Sequence, residues 1–358
     1  MLRRCRNFCS IPRRVEENRS FAGQSGSFVE QLRVGLIGAG GISGVHIAGW
    51  LQLGAAVTVY SRSGAAAVVQ EFGVAEADSL QALLDACDMV SILTPTTSHH
   101  AYAMAAIAAG KDVICEKPLA ETAVRAAEIA NAAHAAGVRL FPAHVVRFFP
   151  EYVDVHEQIS EKRIGAPAVV RLSRSSGAPA AGSWFFNESL GGGIIRDQMI
   201  HDLDQARWLA GEVTRVHAVQ EPSSDGGIVP RPVSARVVMT HEGGAVSHLR
   251  GEWGPDGMPF RTNVSLVMAD GRVAYESPAQ EMIGAEGDGY LPAQTPADSP
   301  YTLQNAEFAA ARASGETSRV SPYDGVMAVA LAEAAAASIA SGHGVDFSAA
   351  AVKALLVG

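Results

Sequence analysis

Three polar residues stand out for the chemistry they could do. Lys117 lies in Glu116-Lys117-Pro118, directly after an apolar run that ends at Cys115. A residue before proline has a restrained, extended backbone, so this lysine is held with little freedom. Asp197 and His201 are four residues apart in Ile194-Ile195-Arg196-Asp197-Gln198-Met199-Ile200-His201-Asp202-Leu203-Asp204. On an α-helix that spacing puts both on one face, and Asp204 continues the stripe. A carboxylate beside a histidine orients the ring and raises its pKa, which suits proton transfer. By spacing alone, a helix salt bridge or a satisfied core histidine fits as well. His99 and His100 are adjacent, but neighbouring side chains diverge and no HExxH or CxxC pattern accompanies them, so no metal is expected.

A glycine loop supplies the second chemical signal. Gly38-Ala39-Gly40-Gly41-Ile42-Ser43 follows a predicted strand over 32–37 and opens a predicted helix over 41–53. The first glycine makes the tight turn, and the second lets backbone amides approach a pyrophosphate at the positive end of the helix. The third position is Ser43, small enough for close packing. This strand–loop–helix context predicts dinucleotide binding. Ser61 stands 21 residues past Gly40, where an NAD site usually places a carboxylate for the ribose 2′-hydroxyl. Without that carboxylate a 2′-phosphate is not repelled, and Ser61 and Arg62 can donate to it. NADP is therefore the preferred cofactor, with NAD the alternative.

The elements that position these residues have a rhythm. Strands over 55–60, 89–93, 112–115 and 138–142 alternate with helices over 78–86, 99–109 and 121–136. Asp78 is read as the cap of the 78–86 helix, with Gln81 as its capping-box partner. The alternation predicts a parallel sheet covered on both faces. Thr94, Pro95 and His99, like Glu116 and Lys117, then fall at carboxyl ends of strands, where such sheets bind ligands. Beyond about residue 150, strands bunch together over 168–173, 215–220, 233–240, 245–253 and 262–268, with one strong helix over 192–209. That pattern predicts an α+β second domain on a mostly antiparallel, open sheet. Helices over 301–313 and 321–341 close the chain, and 175–193 and 285–300 read as loops.

Composition excludes several classes. The chain has 358 residues, 48% hydrophobic and 18% charged, a globular balance sized for two domains. Its net charge is −9, with +3 in residues 1–30 and therefore −12 beyond, which argues against a nucleic-acid partner. The arginine-rich residues 1–30 read as a disordered or mis-started extension. No apolar run reaches the roughly 18 residues of a membrane span; the nearest, 326–332, is cut by Glu333. Four cysteines are too few for a disulfide framework and read as free thiols of a reducing, cytoplasmic compartment.

With these motifs in this order, the sequence resembles the Gfo/Idh/MocA family of NAD(P)-dependent oxidoreductases from about Arg33 to the end. The motifs are GLIGAGGIS (35–43), TPTTSHH (94–100), AGKDVICEKPLA (109–120), HVVRFFPEY (144–152), GGGIIRDQMIHDLDQARWLAG (191–211) and SRVSPYDG (318–325). The resemblance implies a Rossmann dinucleotide-binding domain over 31–150 and a substrate-binding and oligomerisation domain over 151–358. Lys117, Asp197 and His201 would form the catalytic constellation, with a Lys117–Pro118 bond that is often cis in the family. Gly38, Gly40, Gly41 and Ile42 would hold the pyrophosphate. Thr94, Pro95 and His99 would flank the ribose and nicotinamide, and Glu116 the nicotinamide ribose. Arg147 and Trp184 would join Asp197 and His201 on the substrate side. Ser43 and Ser61 depart from the family pattern.

The implied reaction is hydride transfer between the nicotinamide and a secondary alcohol or ketone of a sugar, inositol or related polyol. His201 would move the hydroxyl proton, Lys117 would hold the oxygen, and Asp197 would orient Lys117 or His201. The same family supports internal-redox glycoside hydrolysis or elimination on tightly bound NAD. A non-catalytic dinucleotide-binding regulator, and a non-sugar carbonyl such as a diol-derived ketone or a tetrapyrrole, are the other readings. The open face of the second sheet predicts a homodimer or homotetramer.

Overall fold

Val34, Leu36 and Ile37 are almost completely buried, so β1 (Arg33–Ile37) has both faces covered, as an interior parallel strand must. In this computed structural model the described residues are 31–276, 280–282 and 299–357, with side chains left aside at 273–276 and 280–282. Residues 1–30 and most of the expected 285–300 loop lie outside them.

From β1 the chain continues through α1 (Ser43–Gln52), β2 (Ala56–Tyr60), α2 (Ala66–Phe72), β3 (Ala75–Glu76) and α3 (Leu80–Ala86). It goes on through β4 (Met89–Ile92), α4 (His99–Ala108), β5 (Asp112–Glu116), α5 (Ala123–Ala136) and β6 (Leu140–Ala143). The six strands form one parallel sheet in the order β3-β2-β1-β4-β5-β6. Order reverses between β1 and β4, so the loops after these two strands face one crevice. The cap of α3 is Ser79 and not Asp78: the helix starts one residue later, and Ser79 Oγ accepts from Ala82 N at 3.1 Å. Gln81 instead donates to Asp85 along the helix.

The second half holds α6 (Pro150–Ser160), β7 (Pro167–Gly177), α7 (Ile200–Ala210), β8 (Val213–Glu221), β9 (Val233–His241), β10 (Val246–Gly254), β11 (Phe260–Met268), β12 (Val273–Glu276) and β13 (Gln280–Met282). It ends with α8 (Pro300–Ser314), α9 (Pro322–Ser341), β14 (Val345–Asp346) and α10 (Ala349–Lys353). Its sheet runs β12-β11-β7-β10-β9-β8-β14, with β13 beside β11. Only the β7–β10 pair is parallel among these strands. One face buries Val170, Leu172, Val237, Leu249 and Val264 against α7 and α9. The other face presents Arg171, Val219, Arg236, His248 and Arg250 to solvent.

The closing helices return to the first sheet. Phe308 of α8 stacks on Phe141 of β6 with ring centroids 4.9 Å apart and meets Phe148 edge-on. Val326 to Leu331 of α9 are buried against α5, α7 and β8. By length and mean hydropathy α9 could cross a membrane, which the run-length count missed because alanines extend the apolar stretch past Glu333. In the fold most of its surface is packed inside the protein.

Candidate active site

β5 delivers Glu116 and Lys117 to the carboxyl edge of the first sheet, and the Lys117–Pro118 bond is cis. The Lys117 ammonium donates to the backbone oxygen of Asp197 at 2.8 Å and to its Oδ1 at 3.0 Å. Asp197 does not sit on an ordinary α-helix. The stretch predicted as one helix contains a π-helical turn, Ile195–Met199, which leads into α7. Such turns widen the helix and re-aim a side chain, and they recur at functional sites. Here the turn exposes the Asp197 carbonyl to Lys117. Glycines set up this entry: at Gly193, with φ +63°, an added Cβ would stand 2.5 Å from Val229 Cγ2.

His201 follows on α7. The expectation that Asp197 raises its pKa is corrected, because the Asp197 carboxylate is committed to Lys117. The His201 pKa lies well below the ordinary histidine value; burial is the main cause, and the nearby Lys117, Arg174 and His144 add to it. Near neutral pH the ring is therefore uncharged, and it keeps part of its surface open. The site thus joins a fixed cation to a neutral imidazole, which can bind one oxygen while taking its proton.

Glu116 accepts from Nε2 of His46 at 3.0 Å and from the Lys117 amide at 3.1 Å. Burial works to raise its pKa, but the His46 bond and the Lys117 charge outweigh it and hold the carboxylate ionised. His99 is buried between two carbonyl oxygens, with Nδ1 2.8 Å from Pro118 O and Nε2 2.7 Å from Thr94 O. It thereby ties the Thr94-Pro95 loop to the loop that holds Lys117. A neutral ring can donate to only one of these oxygens at a time. His100 points away and lies 2.8 Å from Glu128.

The glycine loop fits a dinucleotide pyrophosphate. Gly38 has φ +111°, and an added Cβ would stand 2.9 Å from the Leu93 oxygen. At Gly40 and Gly41 an added Cβ would meet nothing within 4 Å. The protein itself therefore does not require bare backbone there, whereas a closely approaching phosphate does. Ser43 explains its own departure from glycine: it is fully buried, and its Oγ donates to Gly40 O at 2.6 Å, fixing the loop. Ile42 begins α1 with no side-chain cap, leaving amides at the helix start for an anion. At the end of β2, Ser61 and Ser63 share a hydroxyl contact of 3.2 Å beside the exposed Arg62. The nearby Glu76 carboxylate is turned to the Ala65 amide at 2.9 Å.

Two expected substrate-side residues fare differently. Arg147 is corrected: only 1% exposed, it clamps both oxygens of Asp204 at 2.8 and 2.6 Å and lies 3.1 Å from Asp324. A guanidinium so enclosed and neutralised is committed to the protein's own acceptors, Asp204, Asp324 and the Arg319 oxygen. Trp184 is partly exposed and stacks on Phe185 at 4.1 Å, with no polar contact to Lys117, Asp197 or His201. The sequence reading missed His46, although a histidine on the buried face of α1, three residues past Ser43, was a legible signal. It also missed Arg174, whose buried pairing with Asp202 at 3.1 Å backs the helix under His201.

Known proteins carry the same arrangement of domains. Residues 32–144 match the family model described as "Oxidoreductase family, NAD-binding Rossmann fold", and residues 152–273 match the GFO/IDH/MocA C-terminal domain. The chain is 30% identical over 323 residues to inositol 2-dehydrogenase 1 of Saccharopolyspora erythraea, across 85% of this chain and 92% of that protein. It is 31% identical over 330 residues to the inositol 2-dehydrogenase of Rhizobium meliloti (strain 1021), across 86% and 97%. The crystal structure of GenD2 from gentamicin A biosynthesis in complex with NAD superposes with a TM-score of 0.77 at 26% identity, covering 91% of this chain and 99% of that one. Both halves of the chain, and relatives matched over nearly their full length, make it a member of the Gfo/Idh/MocA oxidoreductase family.

Proposed function

We propose that this protein is an NAD(P)-dependent dehydrogenase acting on a secondary alcohol or ketone of a sugar, inositol or related polyol. The carrying observation is Lys117, held on Asp197 near a half-buried, neutral His201 at the edge of a dinucleotide-type sheet. The inositol 2-dehydrogenase relatives support the substrate class. When bound, the nicotinamide supplies or accepts the hydride. Lys117 holds the reacting oxygen and stabilises charge that develops on it. His201 accepts the hydroxyl proton in oxidation, or returns it in reduction. Asp197 fixes the direction of Lys117, and Glu116 and His99 fix the loops around the cofactor.

NADP is the preferred cofactor in this reading, supported by Ser61, Arg62 and a Glu76 carboxylate engaged elsewhere. The buried free thiols of Cys87 and Cys115 support a reducing, cytoplasmic setting. The exposed face of the second sheet, with Val219 47% exposed, supports a homodimer or homotetramer. Sedimentation showing a monomer at micromolar concentration would refute the assembly.

The test of the function is an absorbance assay of nicotinamide reduction with NAD or NADP over a panel of inositols, aldoses and polyols. Turnover that vanishes in His201→Ala and Lys117→Met, with cofactor binding intact, is the expected result. Cofactor released only on unfolding, with glycoside cleavage and no net redox change, would replace this reading by internal-redox hydrolysis.

A further inference from the structure

The inner side of His201 holds groups the mechanism above leaves unused. Among the described residues, the buried His201 Nδ1 has no hydrogen-bond partner. His144 stands just past β6, is 1% exposed, and has no hydrogen-bond partner for either ring nitrogen among the described residues. Its Nδ1 lies 3.8 Å from Oδ2 of Asp204, just beyond hydrogen-bond reach. Asp204 cannot drift away, because Arg147 grips both of its oxygens. It also follows His201 by three residues on α7, so the two side chains share a face of that helix. His144 therefore lies against the same turn of α7 that carries His201.

For His201 to accept a proton at Nε2, Nδ1 must already carry one. Which nitrogen is protonated depends on what the other can bond to. We infer that His144 is the positioning residue that makes this choice, in a chain of three groups. His201 Nδ1–H donates to His144 Nε2, directly or through one water, and His144 Nδ1–H is held toward Asp204, 3.8 Å away and fixed by Arg147. Both rings stay neutral, so no proton is gained or lost in setting up the chain. The groups facing His201 are Lys117 and Arg174, and those facing His144 are Asp204, Arg147, Asp324 and Glu116. The inference rests on the reading of His201 as the base. A rival partner is Gln205, four residues after His201, whose amide atoms are also buried without partners.

The experiment is ¹⁵N–¹H NMR of the histidine-labelled full chain without cofactor, which reads the tautomer of each ring. Wild-type His201 is expected as the Nδ1–H form at pH 7. In His144→Phe that preference is lost, and the acid limb of the pH profile for polyol oxidation moves. NADPH binding stays within about twofold. His144→Gln, whose amide oxygen can accept, restores the Nδ1–H form. A wild-type His201 in the Nε2–H form overturns the inference without any variant, which covers the case where His144→Phe does not fold. So does a tautomer that responds to Gln205→Leu and ignores His144→Phe. Absence of any polyol turnover would instead defeat the functional reading, while the NMR result still decides this one.

Discussion

Lys117 Nζ reaches two oxygens of one residue, the Asp197 backbone oxygen at 2.8 Å and its carboxylate at 3.0 Å. The lysine is thus fixed by the π-turn itself as well as by a charge. Lys117→Met is expected to lower kcat by about 10²–10³-fold, the usual effect of removing one preorganised donor. Asp197→Asn keeps the backbone acceptor and should cost less, roughly ten- to a hundredfold. Lys117→Arg should not rescue activity, because a planar fork cannot reproduce a point ammonium. Steady-state kinetics with cofactor titration checks this, and a Lys117→Met enzyme within threefold of wild type would refute the role.

The proposed preference for NADP rests on the end of β2. Arg62 is exposed, Ser61 carries no charge and Glu76 is turned to the Ala65 amide, so in the proposed reading a 2′-phosphate would meet donors at this corner. A hydrogen bond to a charged group is worth about 1.5–3 kcal/mol, so Arg62→Ala should weaken NADPH about ten- to a hundredfold and barely change NADH. Ser61→Asp should reverse the preference by repelling the phosphate and bonding the 2′-hydroxyl. Fluorescence titration of both reduced cofactors measures this. Equal affinities in wild type would show that this corner does not discriminate.

Acid should destabilise the fold through its buried histidines. Burial is the main cause that lowers the pKa of His99, His144, His201 and His241 below the ordinary value. A depressed folded pKa means the unfolded chain binds the proton first, near pH 6.5. Stability is therefore full above that pH and falls as pH drops toward the folded values. While pH lies between the two, each ring removes about 1.4 kcal/mol per pH unit. Thermal melts should show a level Tm from pH 7 to 8 and a steep decline below pH 6.5. The same protonation of His201 would remove the proposed base, so oxidation should fail on the same acid side. A Tm as high at pH 5 as at pH 7.5 would contradict the neutral assignment.

Much of the site could be read from local pattern, and the rest depended on distance along the chain. The alternation of strands and helices through residue 143 located Gly38, Glu116 and Lys117 at one edge, because each belongs to a motif a few residues long. The five long strands of the second sheet were also visible, though four extend further than the expected run and β10 is shifted by one residue. Short elements such as β3 and β14 escaped because two residues carry no periodicity. The π-turn escaped because a 3.6-residue pattern cannot show one extra residue in a turn. Partnerships across 57 to 80 residues, Arg147 with Asp204 and Lys117 with Asp197, come from the tertiary fold. The family resemblance alone placed Arg147 on the substrate side, and its distant partner Asp204 makes it a buried clamp.

The Arg147 clamp contributes to stability across two helices. Arg147 lies between Asp204 of α7 and Asp324, the N3 residue of the capping box that starts α9. Burial works to raise the Asp324 pKa, but Arg147, Ser321 and Arg207 outweigh it and hold the carboxyl well below the usual carboxylate range. Arg147→Met would leave two buried carboxylates short of a counter-charge, a loss of about 3–5 kcal/mol in stability. Arg147→Met combined with Asp204→Leu removes charge from both sides, so the pair should cost less than the sum of the single variants. Denaturant unfolding of the four proteins completes the cycle. A residue that merely touched substrate would behave otherwise: Arg147→Met would raise KM, leave the unfolding midpoint in place, and show no coupling to Asp204.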